Sequence, residues 1–387
     1  MKFFIFLSFV FLGVFHSVNA QDLPLKDGQL NYLKKGDYFY ENKAFTKALK
    51  AYKKGFSKKN GDSLEYIIRL AEVNRQLHDF TTAEYFYSLV VDRNSSKETL
   101  YNYAEVLAAN QKYDRAQAII STLDDEPGIV ADRKKGYNSV ENYYSDSLAY
   151  SVGPVDFNSE KSDFFASTIA DQLVFISSRG FKKNAFTLID ARDESNFLDL
   201  YICQPDTILP FIETNDALNQ GPFHYIADTE ELLITENYPQ SVKNADRGKE
   251  NTLMINRYIK NDNGWDQGDP LPFNNRNYSV AHPSYDQERQ LLYFVSNKPG
   301  GKGGTDIYRS AYDGSDWSEP ENLGEKINTA GDELFPFIDP TTNTLYFSSN
   351  GFGGLGGLDI YRIVLNSESE TYNLGFPMNS SKDDFAF

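Results

Sequence analysis

The chain has 387 residues, 40% hydrophobic and 15% aromatic, which is room for two or three domains with packed cores. Its net charge is −17, and residues 151–387, with 18 Lys or Arg against 36 Asp or Glu, carry the whole excess. A surface so acidic repels phosphate backbones, which excludes nucleic acid as a partner, while basic groups and cations are attracted.

The first predicted element is an export signal. Lys2 precedes an apolar run over residues 3–15, too short for a membrane span, and Val18-Asn19-Ala20 supplies small residues at cleavage-site spacing. A signal over residues 1–20 and a mature start at Gln21 are therefore expected, and no later segment could span a bilayer. The single cysteine, Cys203, lies far from the signal, which excludes a lipid anchor on a cysteine exposed by cleavage. It has no intrachain partner for a disulfide and reads as a small buried hydrophobe in a strand.

Residues 21–122 repeat as three helix-turn-helix units. Gly36, Ala71 and Ala104 hold the small position of the first helices, and Ala48, Ala83 and Ala116 that of the second, both with spacings of 35 and 33. Tyr52, Tyr87 and Ile120 follow four residues later on the same face. Small residues let two helices cross closely, and the large one fills the gap to the next unit. The pattern resembles the tetratricopeptide repeat, departing from it at Asn74 and Leu107, where the family usually has tyrosine.

Stacked repeats curve, and their first helices line a concave groove. The resemblance places Leu33, Asp37, Tyr40, Ile68, Glu72, Arg75, Tyr101 and Glu105 on it. Asp37, Glu72 and Glu105 recur at one position and are expected to form an acidic ladder that binds a basic or amide-rich segment. Residues 123–151 read as a linker with a capping helix, on the strength of Tyr137, Val140 and Tyr144 at helical spacing.

From residue 152 to 387 the period becomes alternating. A unit of 50–60 residues recurs, best kept in two copies. One runs through Leu291–Asn297, the glycine run 300–304 and Asp306-Ile307-Tyr308-Arg309. The other runs through Leu345–Asn350, the run 353–357 and Asp359-Ile360-Tyr361-Arg362. Such a unit is one four-stranded propeller blade, and it resembles the repeats of TolB-like propellers. Gly301, Gly304, Gly354 and Gly357 are expected to shape blade turns, with Asp306 and Asp359 accepting bonds from the turn amides. One carboxylate per loop falls short of a calcium shell, so no metal is expected. Inner strands are expected near Phe165, Phe223, Pro283, Phe335 and Phe385, which makes four blades and the start of a fifth. Either the chain is an N-terminal portion of a longer, six-bladed parent, or its last residues complete an earlier blade in a small closed ring.

No nucleophile elbow, zinc-helix motif or phosphate loop is present, so an enzyme is not expected and no cofactor is implied. His224 and His282 are read as equivalent positions near the propeller axis. Helical repeats joined to such a propeller resemble Bacteroidota cell-envelope proteins, which often continue into an OmpA-like peptidoglycan-binding domain. Some of these work in type IX secretion or gliding beside PorP/SprF-like outer-membrane proteins. The resemblance implies an exported, outer-membrane-associated periplasmic scaffold that binds envelope proteins, with peptidoglycan reached only through a domain outside this chain. The alternatives are the propeller module of an exported hydrolase or carbohydrate-active protein, and a TolB-like translocation partner.

Overall fold

The computed structural model describes residues 32–58, 64–93, 95–123, 128–145, 147–180, 189–211, 218–238 and 252–387. The expected export signal and residues 124–127 of the expected linker lie outside the described residues. Among the described residues seven α-helices come first: α1 Tyr32–Glu41, α2 Phe45–Lys58, α3 Leu64–Gln76, α4 Phe80–Ser88, α5 Lys97–Ala109, α6 Tyr113–Ile120 and α7 Ile129–Asn138. None is long and apolar enough to cross a membrane.

The first six helices form three hairpins with one turn geometry. Lys43, His78 and Gln111 each adopt a positive φ, at 55°, 58° and 61°. The next amide then bonds back to the carbonyl of Phe39, Asn74 or Leu107 at 2.8–2.9 Å. The small residues are buried at the crossings, and a methyl on Gly36 would meet the Tyr52 ring at 2.2 Å. The expected capping helix is shorter than its spacing suggests. It ends at Asn138, the Ser139 amide turns tightly onto the Gly136 carbonyl, and a 3₁₀ turn covers Val140–Tyr144. Tyr137 packs with Leu107 and Ile120, closing the last hairpin.

Four antiparallel four-stranded sheets follow, each in sequential order, and form a four-bladed β-propeller. Blade 1 comprises β1 Asp163–Ile169, β2 Gln172–Ser177, β3 Asp199–Gln204 and β4 Thr207–Pro210. Blade 2 comprises β5 Gln220–Ile226, β6 Glu231–Asn237, β7 Leu253–Asn261 and β8 Gly264–Gln267. Blade 3 comprises β9 Val280–Asp286, β10 Leu291–Ser296, β11 Asp306–Ala311 and β12 Glu321–Asn322. Blade 4 comprises β13 Glu333–Asp339, β14 Thr344–Ser349, β15 Asp359–Val364 and β16 Tyr372–Asn373. The first strand, Asp163–Ile169, contains Phe165, where an inner strand is expected, and residues 152–162, with Gly153 and Pro154, precede it outside any strand. Cys203 lies on β3 and is half-buried instead of buried.

Every inner strand bulges near its start. Phe165, His282 and Phe335 carry that bulge at φ 51–53°, and blade 2 places it one residue earlier, at Gly221 with φ 88°. Successive blades are stitched by one device. Asn274, Asn328 and Asn379 each accept from the amide and donate to the carbonyl of Ile255, Ile307 and Ile360 at 2.7–3.1 Å. The next inner strand then donates its amide, from Gln220 to Leu198, Glu333 to Thr305 and Asp384 to Leu358, at 2.7–2.9 Å.

Residues 379–387 are not a strand, yet they repeat this backbone. The Ser380 amide bonds to Asp384 at 2.6 Å as the Thr329 amide bonds to Glu333 at 2.8 Å, and Ala386 has φ 63°. They are a fifth copy of the inner-strand start. Phe385 stacks on Phe335 at 4.8 Å and meets Phe164 edge-on at 5.5 Å, joining the last blade to the first at the axis.

Candidate interaction site

The expected acidic ladder exists in the hairpins, but its carboxylates are engaged within the chain. Asp37 accepts from Tyr52 at 2.8 Å and from Arg69 of the next hairpin at 2.7 Å. Glu72 accepts from Tyr87, from Arg75 at 3.1 Å and from Asn102 of the next hairpin at 3.0 Å. Glu105 accepts from Tyr137 at 2.5 Å and pairs with Arg133 at 3.3 Å, both on α7. The ladder therefore staples each hairpin to its successor, which corrects the expectation of acids held ready for a basic ligand. Tyr40 and Tyr101 are half-buried beside it, and burial pushes both phenols up, Tyr101 to about 12.

The glycine loops behave differently in the two blades. In blade 3, Asp306 accepts from the Lys302 amide at 2.5 Å, the Gly303 amide at 3.2 Å and Asn322 at 2.8 Å. A methyl on Gly301 would meet its carboxylate at 2.3 Å, and one on Gly304 would meet Asp332 at 2.4 Å, so both glycines are required. The loop itself is exposed. In blade 4, Asp359 accepts from the Gly356 amide at 3.3 Å, and Gly354 and Gly357 lie against Asp359 and Asp383 in the same way. This second loop is covered by the helices.

Arg133 is the centre of that cover. It is almost wholly buried and donates to the Gly356 and Gly357 carbonyls, at 2.6 Å each. Tyr113 reaches the Leu355 carbonyl at 3.0 Å and Tyr143 the Gly353 carbonyl at 3.2 Å. The Phe376 amide bonds to the Tyr143 carbonyl at 2.7 Å, and Ser381 and Lys382 both reach the Ala109 carbonyl. At the other end of the hairpins, the Thr46 amide bonds to the Arg192 carbonyl at 3.1 Å and Lys50 pairs with Glu194 at 2.8 Å, both in blade 1. The helices thus rest on the first and the last blade at once. Sequence spacing showed the ladder and the loops but not Arg133, because its partners lie 223 and 224 residues away.

The axis is packed with side chains. Strand register aligns Phe165, Pro222, His282 and Phe335, with Ala386 following from the fifth copy. His224 aligns with Ser284, two residues further on, which corrects its pairing with His282: the prolines that suggested the match stand at different register positions. His282 is buried, stacks on Phe335 at 4.2 Å and accepts the Phe335 amide on Nδ1 at 3.2 Å. Burial holds it down at about 3, so it is neutral. Among the described residues no group of three or more His, Cys, Asp or Glu side chains is placed to hold a metal ion.

No protein-family model and no curated protein matches the chain. Among solved structures it is similar to a TolB protein of Agrobacterium tumefaciens, at 13% identity and a TM-score of 0.34 over 55% of this chain and 65% of that one. It is similar to a puromycin-hydrolyzing peptidase of Mycobacterium tuberculosis, at 11% identity and 0.31 over 55% and 38%. A thermostable family-43 glycoside hydrolase is similar at 11% identity and 0.32 over 62% and 82%. The chain thus spans less than two thirds of the length of the TolB protein and of the peptidase.

Proposed function

We propose that this chain is an exported, non-catalytic scaffold of the cell envelope, in which three tetratricopeptide-type hairpins and a TolB-like propeller present one joint surface to protein partners. The observation that carries this reading is Arg133. It ties Glu105 of the hairpins to the Gly356 and Gly357 carbonyls of blade 4. A buried guanidinium shared in this way couples two repeat units mechanically, as a platform requires. The groups that read as candidate ligands, Asp37, Glu72, Glu105, Asp306 and Asp359, all serve internal bonds.

Partners then meet the outer surfaces. Outer-membrane proteins of the PorP/SprF-like kind, type IX secretion or gliding, and a wall-binding OmpA-like domain in a longer parent are the partners and setting we assign. Cross-linking in the native envelope tests the reading. Recovery of an outer-membrane protein with the intact chain, lost when Arg133 is replaced by Met, is the expected result; recovery of no envelope protein overturns it.

One observation favours a carbohydrate-active propeller instead: burial raises Glu333, on an inner strand, to about 7, a value suited to a general acid. Its side chain is wholly enclosed and bonded to Thr329 and Ser349, out of reach of a sugar. Hydrolysis of any glycan that is abolished by Glu333→Gln would restore that alternative.

A further inference from the structure

The two glycine loops share one backbone. Gly304 donates its amide to the Gly331 carbonyl at 2.8 Å, as Gly357 donates to Lys382 at 3.1 Å. Thr305 accepts from the Glu333 amide at 2.7 Å, as Leu358 accepts from Asp384 at 2.8 Å. An aspartate gathers the amides of each loop, and a second carboxylate, Asp332 or Asp383, lies against its last glycine. Residues 301–305 therefore hold their carbonyls as residues 354–358 do.

In blade 4 those carbonyls have a ligand. Arg133 spreads its guanidinium over Gly356 and Gly357, at 2.6 Å to each. Gly136, three residues further along α7, lets the helix backbone come down onto Gly354. In blade 3 the matching carbonyls are those of Gly303 and Gly304, and among the described residues no group donates to them. Residues 301–304 are all exposed, where Gly354, Leu355 and Gly356 are buried. This loop belongs to blade 3, which has a complete blade on either side.

The charge around the open loop suits the same ligand. Adjacent carbonyls with no side chain between them match the planar, two-pronged donor of a guanidinium better than the point charge of an ammonium. Asp306 and Asp332 stand behind them, as Asp359 and Asp383 stand behind the Arg133 site. Lys302, inside the loop, is turned onto Glu325 at 2.6 Å. The chain's own Arg133 is buried in blade 4, so the arginine has to come from elsewhere.

We propose that the blade 3 loop is a receptor for an arginine side chain carried by a helix of a second protein, its guanidinium on the Gly303 and Gly304 carbonyls. A glycine three residues after that arginine lets the helix approach, as Gly136 does in α7. This deepens the scaffold reading by naming one binding site and the chemistry of its partner, and it rests on that reading. The test below reads this loop alone, so its failure leaves the cross-linking result intact.

The probe is a fluorescein-labelled peptide with the sequence of residues 128–139, which holds Arg133 and Gly136. A hydrocarbon staple from position 131 to 135 keeps it helical, since a free helix of this length is marginal in water. Titration with the full chain is expected to raise its anisotropy saturably. Arg133→Lys in the peptide keeps the charge but loses the fork, and should weaken binding about tenfold. In the full chain, Lys302→Leu gives the loop the residue that blade 4 has at position 355 and removes a cation, and should tighten binding about threefold. Glu325→Lys should weaken it by about as much. Both side chains lie at the surface, so neither variant disturbs the fold. An absent or non-saturating rise, or a lysine peptide that binds equally well, overturns the proposal. Binding indifferent to both chain variants does so too, since the peptide has then replaced α7 on blade 4. A dimer of the chain alone in sedimentation velocity that Glu325→Lys dissolves also overturns it, because the occupant is then a second copy.

Discussion

Gly136 of α7 and Gly354 of blade 4 meet backbone to backbone: a methyl group on Gly136 would lie 2.6 Å from the Gly354 amide nitrogen. The reverse holds for its neighbour, since a methyl on Gly353 would lie 2.4 Å from the Asp132 carbonyl oxygen. Neither backbone can give way cheaply, so Gly136→Ala is expected to destabilise the chain by about 1–3 kcal/mol, although alanine favours a helix. Urea unfolding checks it, and an unchanged or raised midpoint would show the two units are not in contact.

Arg133→Met leaves the Gly356 and Gly357 carbonyls and Glu105 without their cation. Removal of one partner from a buried charge network costs about 3 kcal/mol or more. Arg133→Lys retains the charge but not the two-pronged fork, so its midpoint should fall between Met and wild type.

The tyrosines of the ladder differ from their neighbours on the same helix. Tyr87→Phe removes the hydroxyl bonded to Glu72 and is expected to cost about 1–2 kcal/mol. Tyr85→Phe alters an exposed ring and should stay within about 0.5 kcal/mol. Thermal melts of the pair separate an internal staple from a surface row: equal effects would return the ladder to a ligand-binding role.

Asn328→Ala should unpair both backbone groups of Ile307, costing about 1–3 kcal/mol, and Asn379→Ala should do the same at Ile360. Hydrogen exchange at the Ile307 and Ile360 amides is the local readout. Faster exchange confined to the matching blade is expected.

Burial pushes Asp384 up to about 6, Asp383 and Glu333 to about 7 and Asp359 to about 8. Each folded value exceeds the ordinary one near 4, so the native chain holds protons that the unfolded chain has released. That contribution is complete in acid and is lost as pH rises through 6 to 8. His78, His224 and His282 act oppositely, held at about 4, about 4 and about 3, and in the unfolded chain about half of each is still protonated at pH 6.5. Between pH 6.5 and 8.5 the carboxyl groups, with most of their proton loss inside that window, outweigh the histidines, and stability should fall. Calorimetry across that window should show a lower Tm at pH 8.5, with a shallower slope in Asp383→Asn.

Much of this fold is visible in the sequence because it is periodic. The alternation of Gly36, Ala71 and Ala104 with Ala48, Ala83 and Ala116 marks three hairpins, and the two glycine-Asp runs mark blades. The internal use of the ladder was also present as a spacing, since Tyr52 follows Asp37 and Tyr87 follows Glu72 by 15 residues. The third hairpin hides it, because Ile120 replaces the tyrosine and Tyr137 arrives from the next helix. The two glycine loops look alike in sequence, and nothing local marks that one is covered. Coverage depends on a helix more than 200 residues away. The misaligned histidines have a similar cause: a bulge sets the register there, and proline position does not report it.

The bond from Arg133 to Gly356 closes a loop of 223 residues. At roughly 5–20 residues per second, synthesis of that stretch takes about 10–45 s. Throughout that interval α7 has its folding partners from the hairpins but not from the propeller, so its arginine and its glycine face stay uncovered. Docking is therefore a late event in a topology of high contact order, and it follows completion of blade 4. The helices emerge first and are finished last, which makes the newborn hairpin unit, and not the propeller, the part of this chain that most needs protection while it waits.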